Sequence, residues 1–208
     1  MKNKYIDIIG MGPGSIEYIL PEAIEKIHNA DVLIGGRRNL EILSFPDKEK
    51  IELQNNLTEV VKYIQKNHIN KQIAVLVSGD PGFHSLMKYI SKNTEDIKIN
   101  ITPGISSFTY FFSKINMSWD DAVLSSVHGE KIDYISLIKK HSKIAFLTDA
   151  QITPKVIAKE MMKEKLLNRC LYIGEELSYP EEKISKINVE DAVNYDAKKL
   201  CVVVIVDE

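Results

Sequence analysis

Ile73-Ala-Val-Leu-Val77 is an unbroken apolar run that stops at Ser78-Gly79-Asp80-Pro81-Gly82. A run of aliphatic and β-branched residues without polar alternation is what a strand buried on both faces of a parallel sheet needs. Gly79 and Gly82 open backbone angles closed to other residues, and Pro81 fixes its own φ. Apolar positions recur at Leu86, Met87 and Ile90, so a helix is expected next. The order strand, rigid turn, helix points to an open α/β sheet, where ligands bind beyond the carboxyl ends of the strands. Asp80 is then a carboxylate held at such an end. Gly-Asp-Pro-Gly is also good turn chemistry by itself, and the stretch taken alone supports both readings.

Two more stretches repeat the pattern. Tyr5-Ile-Asp-Ile-Ile-Gly10 reads as a first strand running into Gly10-Met-Gly-Pro-Gly14. A dinucleotide fingerprint would place its third glycine at position 15, which is Ser15, and Pro13 lacks the N–H that a phosphate turn would donate. Both residues count against a nicotinamide enzyme, although Arg37 and Arg38 could mimic a 2′-phosphate clamp. Lys98-Ile-Asn-Ile-Thr102 alternates as a strand and breaks at Pro103-Gly104, and Ile105-Ser-Ser-Phe108 then leads into a helix through Thr109 to Lys114. Ser106 and Ser107 suit either helix caps or donors facing the crevice of Asp80. Three sharp loops in one half of the chain carry more information than any one of them.

The rest of the first half reads as connecting structure. Ile16, Leu20, Ile24 and Ile27 share a helical face, with Pro21 early in that helix. A second strand, 31–35, ends in a Gly35-Gly36-Arg37-Arg38 loop whose guanidiniums are either solvated surface or a fork for carboxylate or phosphate. Asn56 and Glu59 have capping-box spacing before a helix that buries Leu57, Val60, Val61 and Ile64.

The polar stretch Asn116-Met-Ser-Trp-Asp120 places a boundary between an N-terminal α/β domain, 1–117, and a C-terminal α/β domain, 118–208. Beyond it, strands are expected at 122–127, 144–147, 169–173, 183–187 and 200–206, forming a mixed sheet. Helices are expected at 132–140 and after the Thr153-Pro154 start, where Ile157, Met161 and Met162 read as core. Ser126-Val-His128-Gly-Glu130 is the polar cluster at a strand end. A lone histidine is more often structural than catalytic, so His128 is a candidate only.

Composition bounds the function. A net charge of −2 over 208 residues gives no support for a nucleic-acid coat. The five histidines lack paired ligand spacing, so no metal is expected. Cys170 and Cys201 sit in apolar strands and are expected to be reduced and inert. The N-terminus shows no signal peptide and no run has membrane-spanning length, so a cytoplasmic protein without a membrane partner is expected.

With these loops in view, the chain resembles the tetrapyrrole (corrin/porphyrin) methylase family over essentially its whole length. Ile-Ile-Gly-Met-Gly-Pro-Gly at 8–14 and Val-Ser-Gly-Asp-Pro-Gly-Phe at 77–83 resemble the family's first loop and its Gly-Asp-Pro loop. Pro-Gly-Ile-Ser-Ser at 103–107, Leu-Thr-Asp at 147–149 and Ser-x-His-Gly at 126–129 resemble further motifs. Pro-Gly-Ile-Ser-Ser combined with Ser-x-His-Gly points to the branch that methylates carbon 5 of corrin precursors, although Glu130 stands where that branch has arginine.

The resemblance implies two α/β domains with a cofactor cleft between them, a homodimer, and S-adenosyl-L-methionine as methyl donor, leaving S-adenosyl-L-homocysteine. Carried over by position, the implied cofactor contacts are Pro13, Asp80, Phe83, Ser106, Ser107 and Leu147, with Gly79 and Thr148 beside them. Arg37, Arg38, His84 and His128 are the strand-end groups suited to the carboxylates of a tetrapyrrole. A separate carbon-15 methyltransferase/decarboxylase is the implied functional neighbour. The competing readings are a sibling methylase acting on diphthine or ribosomal RNA, and a non-catalytic S-adenosylmethionine-binding protein.

Overall fold

The protein is described by a computed structural model covering residues 5–43, 47–83, 86–127, 132–197 and 201–208. The chain divides into two compact units, Met1–Ser106 and Ser107–Glu208. The helix that follows Pro103-Gly104 therefore belongs to the second unit, whereas a boundary at 117/118 would leave it with the first.

The first unit is a parallel α/β sheet. Its strands are β1 (Tyr5–Gly10), β2 (Val32–Gly35), β3 (Glu49–Glu52), β4 (Ile73–Val77) and β5 (Lys98–Thr102), in the spatial order β3-β2-β4-β1-β5. β4 is buried at every residue, as its unbroken apolar run requires. β1 lies between β4 and β5, with Asp7 beside Ala74 and Ile9 beside Thr102. The connecting helices are α1 (Pro21–Asn29), α2 (Arg37–Glu41), α3 (Leu57–Asn67) and α4 (Met87–Asn93). On one face α1 inserts Ala23 and Ile27, and α2 Leu40, against Ile9, Leu33, Ala74 and Leu76. On the other, α3 and α4 insert Val60, Ile64 and Ile90 against Ile6, Ile8, Val75 and Val77.

Several local expectations change here. Ile16 lies in a short 3₁₀ turn and Ile24 on the outer side of α1; both are exposed, and Ala23 and Ile27 form the inward stripe instead. Arg37 and Arg38 start the helix α2 rather than sitting in a loop. Asn56 precedes α3 without capping it, because its side chain bonds the Gln54 N–H and the Glu52 carbonyl. β3 was not anticipated: Glu-Lys-Ile-Glu is a polar edge strand with one half-buried residue, Ile51.

The second unit holds a mixed sheet. Its strands are β6 (Val123–Ser126), β7 (Lys143–Leu147), β8 (Arg169–Glu175), β9 (Lys183–Asn188) and β10 (Cys201–Asp207), in the order β6-β7-β10-β8-β9. Among the described residues β6 and β7 pair in parallel and the other neighbours antiparallel. α6 (Tyr134–Lys140), α7 (Pro154–Lys163) and α8 (Val189–Ala192) cover one face through Ile138, Ile157, Met161, Val189 and Ala192. Thr153 caps α7 by accepting the Val156 N–H, and Met162 points outward rather than into the core. α5 (Ser107–Lys114) buries Phe108, Phe111 and Phe112, and Phe111 lies so close to Gly174 that a Cβ there would come within 2.8 Å of its ring.

Candidate functional site

The two faces of the first sheet locate a crevice. β1 is followed by α1 on one face and β4 by α4 on the other, although β1 and β4 are neighbours. Adjacent strands whose connections leave to opposite faces open a gap at their carboxyl ends, where ligands bind in sheets of this kind. The loops after β1, β4 and β5 all end there.

Glycine lets these loops interlock. Gly12 and Gly79, at φ 73° and 68°, form an antiparallel bridge, with Gly79 N–H donating to the Gly12 carbonyl at 2.7 Å and Gly12 N–H to the Gly79 carbonyl at 3.2 Å. Both angles are left-handed ones that favour glycine. A Cβ on Gly10 would lie 2.6 Å from the Gly104 nitrogen, and one on Gly104 would lie 2.2 Å from the Gly79 carbonyl oxygen. The loops after residues 10, 78 and 102 thus meet backbone to backbone.

Asp80 joins the same knot. Its Oδ1 accepts the Gly82 N–H at 2.7 Å and its Oδ2 accepts the Gly104 N–H at 3.0 Å. The Phe83 N–H donates to the Asp80 carbonyl at 3.3 Å, closing the turn. Pro13, Gly79, Asp80, Phe83 and Ser106 are all half-buried around this point.

The bonding decides between two cofactor chemistries. A phosphate turn must present free N–H groups. Here the Met11 N–H is taken by the Val77 carbonyl, the Gly12 N–H by Gly79, and Pro13 has none. Three successive positions of the first loop are closed to a pyrophosphate, against the dinucleotide reading. A ligand without phosphate, held by carbonyls, a carboxylate and half-buried side chains, fits this loop set.

In the second unit, Leu147 ends β7 half-buried and Thr148 is buried. The Thr148 N–H and hydroxyl both donate to the Cys201 carbonyl, at 3.0 and 2.9 Å, and its Oγ1 accepts the Cys201 N–H at 3.1 Å. That side chain is committed to the β7–β10 pairing, so a ligand would meet Thr148 through its backbone. Burial pushes the Cys201 thiol up to about 11, with the Thr148 hydroxyl pulling weakly the other way. Ser107 opens α5 half-buried.

Arg37 and Arg38 are exposed on α2, at the carboxyl end of β2, and Arg37 Nε pairs with Glu41 at 2.8 Å. That hydrogen bond holds the guanidinium further into its charged form. His84 and His128, with Glu130, lie outside the described residues.

Two polar groups in this sheet were not anticipated. Asn39 of α2 donates to the Leu76 carbonyl and accepts from the Ser78 hydroxyl, both at 3.4 Å, beside the loop after β4. Asp7, buried within β1, accepts from Gln72 at 2.7 Å and Asn100 at 2.8 Å. A charged residue inside an apolar strand, with an amide just before or within each flanking strand, was the available signal. A shallow polar depression lined by His68, Lys92, Glu95 and Asp96 lies instead at the start of β5, away from the loops. Among the described residues no group of three His, Cys, Asp or Glu could hold a metal ion, and no helix is long and apolar enough to cross a membrane.

Known proteins resemble this chain in sequence and in fold. A sequence model of the Tetrapyrrole (Corrin/Porphyrin) Methylases matches residues 6–193. The chain is 35% identical to a probable cobalt-precorrin-7 C(5)-methyltransferase of Methanocaldococcus jannaschii, over 96% of both chains. It is 32% identical to the cobalt-precorrin-7 C(5)-methyltransferase of Salmonella typhimurium, over 98% of this chain and 99% of that one. A precorrin-6Y C(5,15)-methyltransferase [decarboxylating] of a Sinorhizobium species is 24% identical over 87% of this chain, but the match covers only 44% of that longer protein. Among solved structures, the Thermus thermophilus uroporphyrin-III C-methyltransferase complexed with S-adenosylhomocysteine superposes with a TM-score of 0.79 at 14% identity, over 97% of this chain and 92% of that one, a likeness of fold.

Proposed function

This chain belongs to the tetrapyrrole (corrin/porphyrin) methylase family, and from that premise we propose that it transfers a methyl group from S-adenosylmethionine to carbon 5 of cobalt-precorrin-7 in cobalamin biosynthesis. The observation that carries this reading is the near-full-length match, in both directions, to enzymes of that name. The first loop supports it independently, since its closed N–H groups suit a donor without phosphate.

When bound, S-adenosylmethionine would supply an electrophilic methyl group: the acceptor carbon would bond to that methyl in line as its bond to sulfur breaks, leaving S-adenosylhomocysteine. The protein's contribution to such a step is chiefly positioning. We assign the cofactor contacts to Pro13, Gly79, Asp80, Phe83 and Ser106 in the first unit, and to Ser107, Leu147 and Thr148 in the second. Thr148 acts through its carbonyl, because its hydroxyl is held by Cys201. Arg37, Arg38, His84 and His128 are assigned to the acetate and propionate groups of the acceptor, with His128 the candidate for proton transfer. The proposal includes a cytoplasmic homodimer.

We further assign carbon-5 methylation alone to this chain, with the carbon-15 methylation and decarboxylation belonging to a separate protein. The longer bifunctional relative, which this chain matches over less than half its length, supports that division. The test is mass spectrometry after incubation of the purified protein with S-adenosylmethionine and cobalt-precorrin-7. A gain of one methyl without loss of carbon dioxide is the expected result. Two methyls, loss of carbon dioxide, or binding without turnover would overturn it.

A further inference from the structure

Among the described residues β5 is an edge strand paired with β1 alone, and its last partner is Ile9 beside Thr102. Past Thr102 the sheet no longer holds the chain. Pro103 has no N–H, so Gly104 carries the first donor after the strand, in a half-buried setting where an unmet donor is costly. Asp80 Oδ2 accepts that donor across 24 residues of sequence, while Oδ1 holds the Gly82 N–H of its own turn. Below the loop, Lys26 of α1 donates to the buried Thr102 hydroxyl at 2.7 Å while pairing with Glu22 at 2.6 Å. Gly104 also packs closely against Gly79 and Gly10.

We infer that Asp80, beside the cofactor contact proposed above, has a second role as a positioning residue: its carboxylate clamps the loop after β5 onto the loop after β4, and so fixes Pro103–Ser106 before any ligand arrives. The inference rests on the S-adenosylmethionine reading for its functional meaning, and on the ligand-free protein for its geometry. A turn carboxylate with no such partner would add little to the fold. This one ties together two loops that only glycine allows to touch.

Backbone amide exchange followed by NMR on the ligand-free full chain, wild type and Asp80→Asn, tests the clamp. An asparagine keeps the shape but has one acceptor oxygen, so it cannot hold both N–H groups. In the wild type the Gly104 amide should be protected; in the variant it should exchange about tenfold faster or more, as expected for loss of a bond to a charged acceptor. The Gly12 and Gly79 amides should keep their protection, showing that the variant is folded. Calorimetric titration with S-adenosylhomocysteine should show affinity lower by about tenfold. In turnover, the KM for S-adenosylmethionine should rise with kcat little changed, the pattern of a lost uniform-binding effect. An unprotected Gly104 amide in the wild type, unchanged exchange in the variant, or faster exchange with unchanged affinity would each overturn the clamp. A wild-type protein that protects Gly104 yet binds no S-adenosylhomocysteine would overturn the methyltransferase reading, and with it the functional role of the clamp, while leaving the geometry standing.

Discussion

Gly12 and Gly79 exchange both of their backbone hydrogen bonds across the gap between β1 and β4, each in a left-handed conformation. Two loops far apart in sequence are thereby joined by main chain alone, and Gly10 and Gly104 pack against the junction. Side chains have no room at this point.

Gly10→Ala should accordingly destabilise the protein by about 1–3 kcal/mol, the usual range for overpacking. Gly36→Ala is the control: its Cβ would meet nothing within 4 Å, and its backbone is already extended at φ −62°. That variant should stay within about 0.5 kcal/mol of wild type. Urea denaturation of the two proteins checks the contrast.

Thr148→Val should cost about 1–3 kcal/mol, because the buried Cys201 N–H loses its acceptor while the shape is kept. The effect should appear in the denaturation midpoint. S-adenosylhomocysteine affinity should change little, since the proposed contact is the carbonyl. A large loss of affinity with unchanged stability would place the hydroxyl on the ligand instead.

The three parallel strands that meet at the knot are legible from sequence because each is an apolar or alternating run cut by glycine. What sequence withholds is pairing. Asp80 is visibly a carboxylate in a turn, yet its partner Gly104 is fixed only by the packing of β5 beside β1. Nothing in sequence shows that Cys201, 53 residues on, takes the Thr148 hydroxyl. β3 escapes notice because an edge strand needs only Ile51 to be apolar, and α2 because five residues after Gly36 are too few to show a period. Ile16 and Ile24 misled for the opposite reason: spacing suggested one stripe, while the sheet took Ala23, whose small side chain lets α1 approach closely.

Cys201 should be silent toward thiol reagents at pH 8 in the native protein and react only on unfolding. Its folded-state pKa, raised by burial from 9.0 to about 11, also sets a sign for stability. The folded protein holds the proton more tightly than the unfolded chain, so this contribution is fully present below pH 9 and is lost as pH rises toward 11. Compared with Cys201→Ala, wild type should lose stability more steeply across that window, in denaturation midpoints taken at half-unit steps.

Replacing Arg37 and Arg38 together with alanine should raise the KM for the tetrapyrrole several-fold while leaving that for S-adenosylmethionine near wild type. Both arginines are exposed on α2, so the fold should be unaffected. Equal effects on both substrates, or none, would return the pair to ordinary surface charge.

The placement of β1 between β4 and β5 has a consequence for synthesis on the ribosome. Ala74 follows Asp7 by 67 residues, and Lys98 follows Tyr5 by 93. At roughly 5–20 residues per second, β1 therefore waits on the order of 3–13 s with both edges unpaired and its isoleucines bare, and about 1–5 s more with one edge open. An apolar strand open on both sides is a template for pairing with other chains. Translational pausing while β1 has emerged from the ribosome and β4 and β5 have not should therefore raise the fraction that aggregates, whereas pausing once both neighbours have emerged should not.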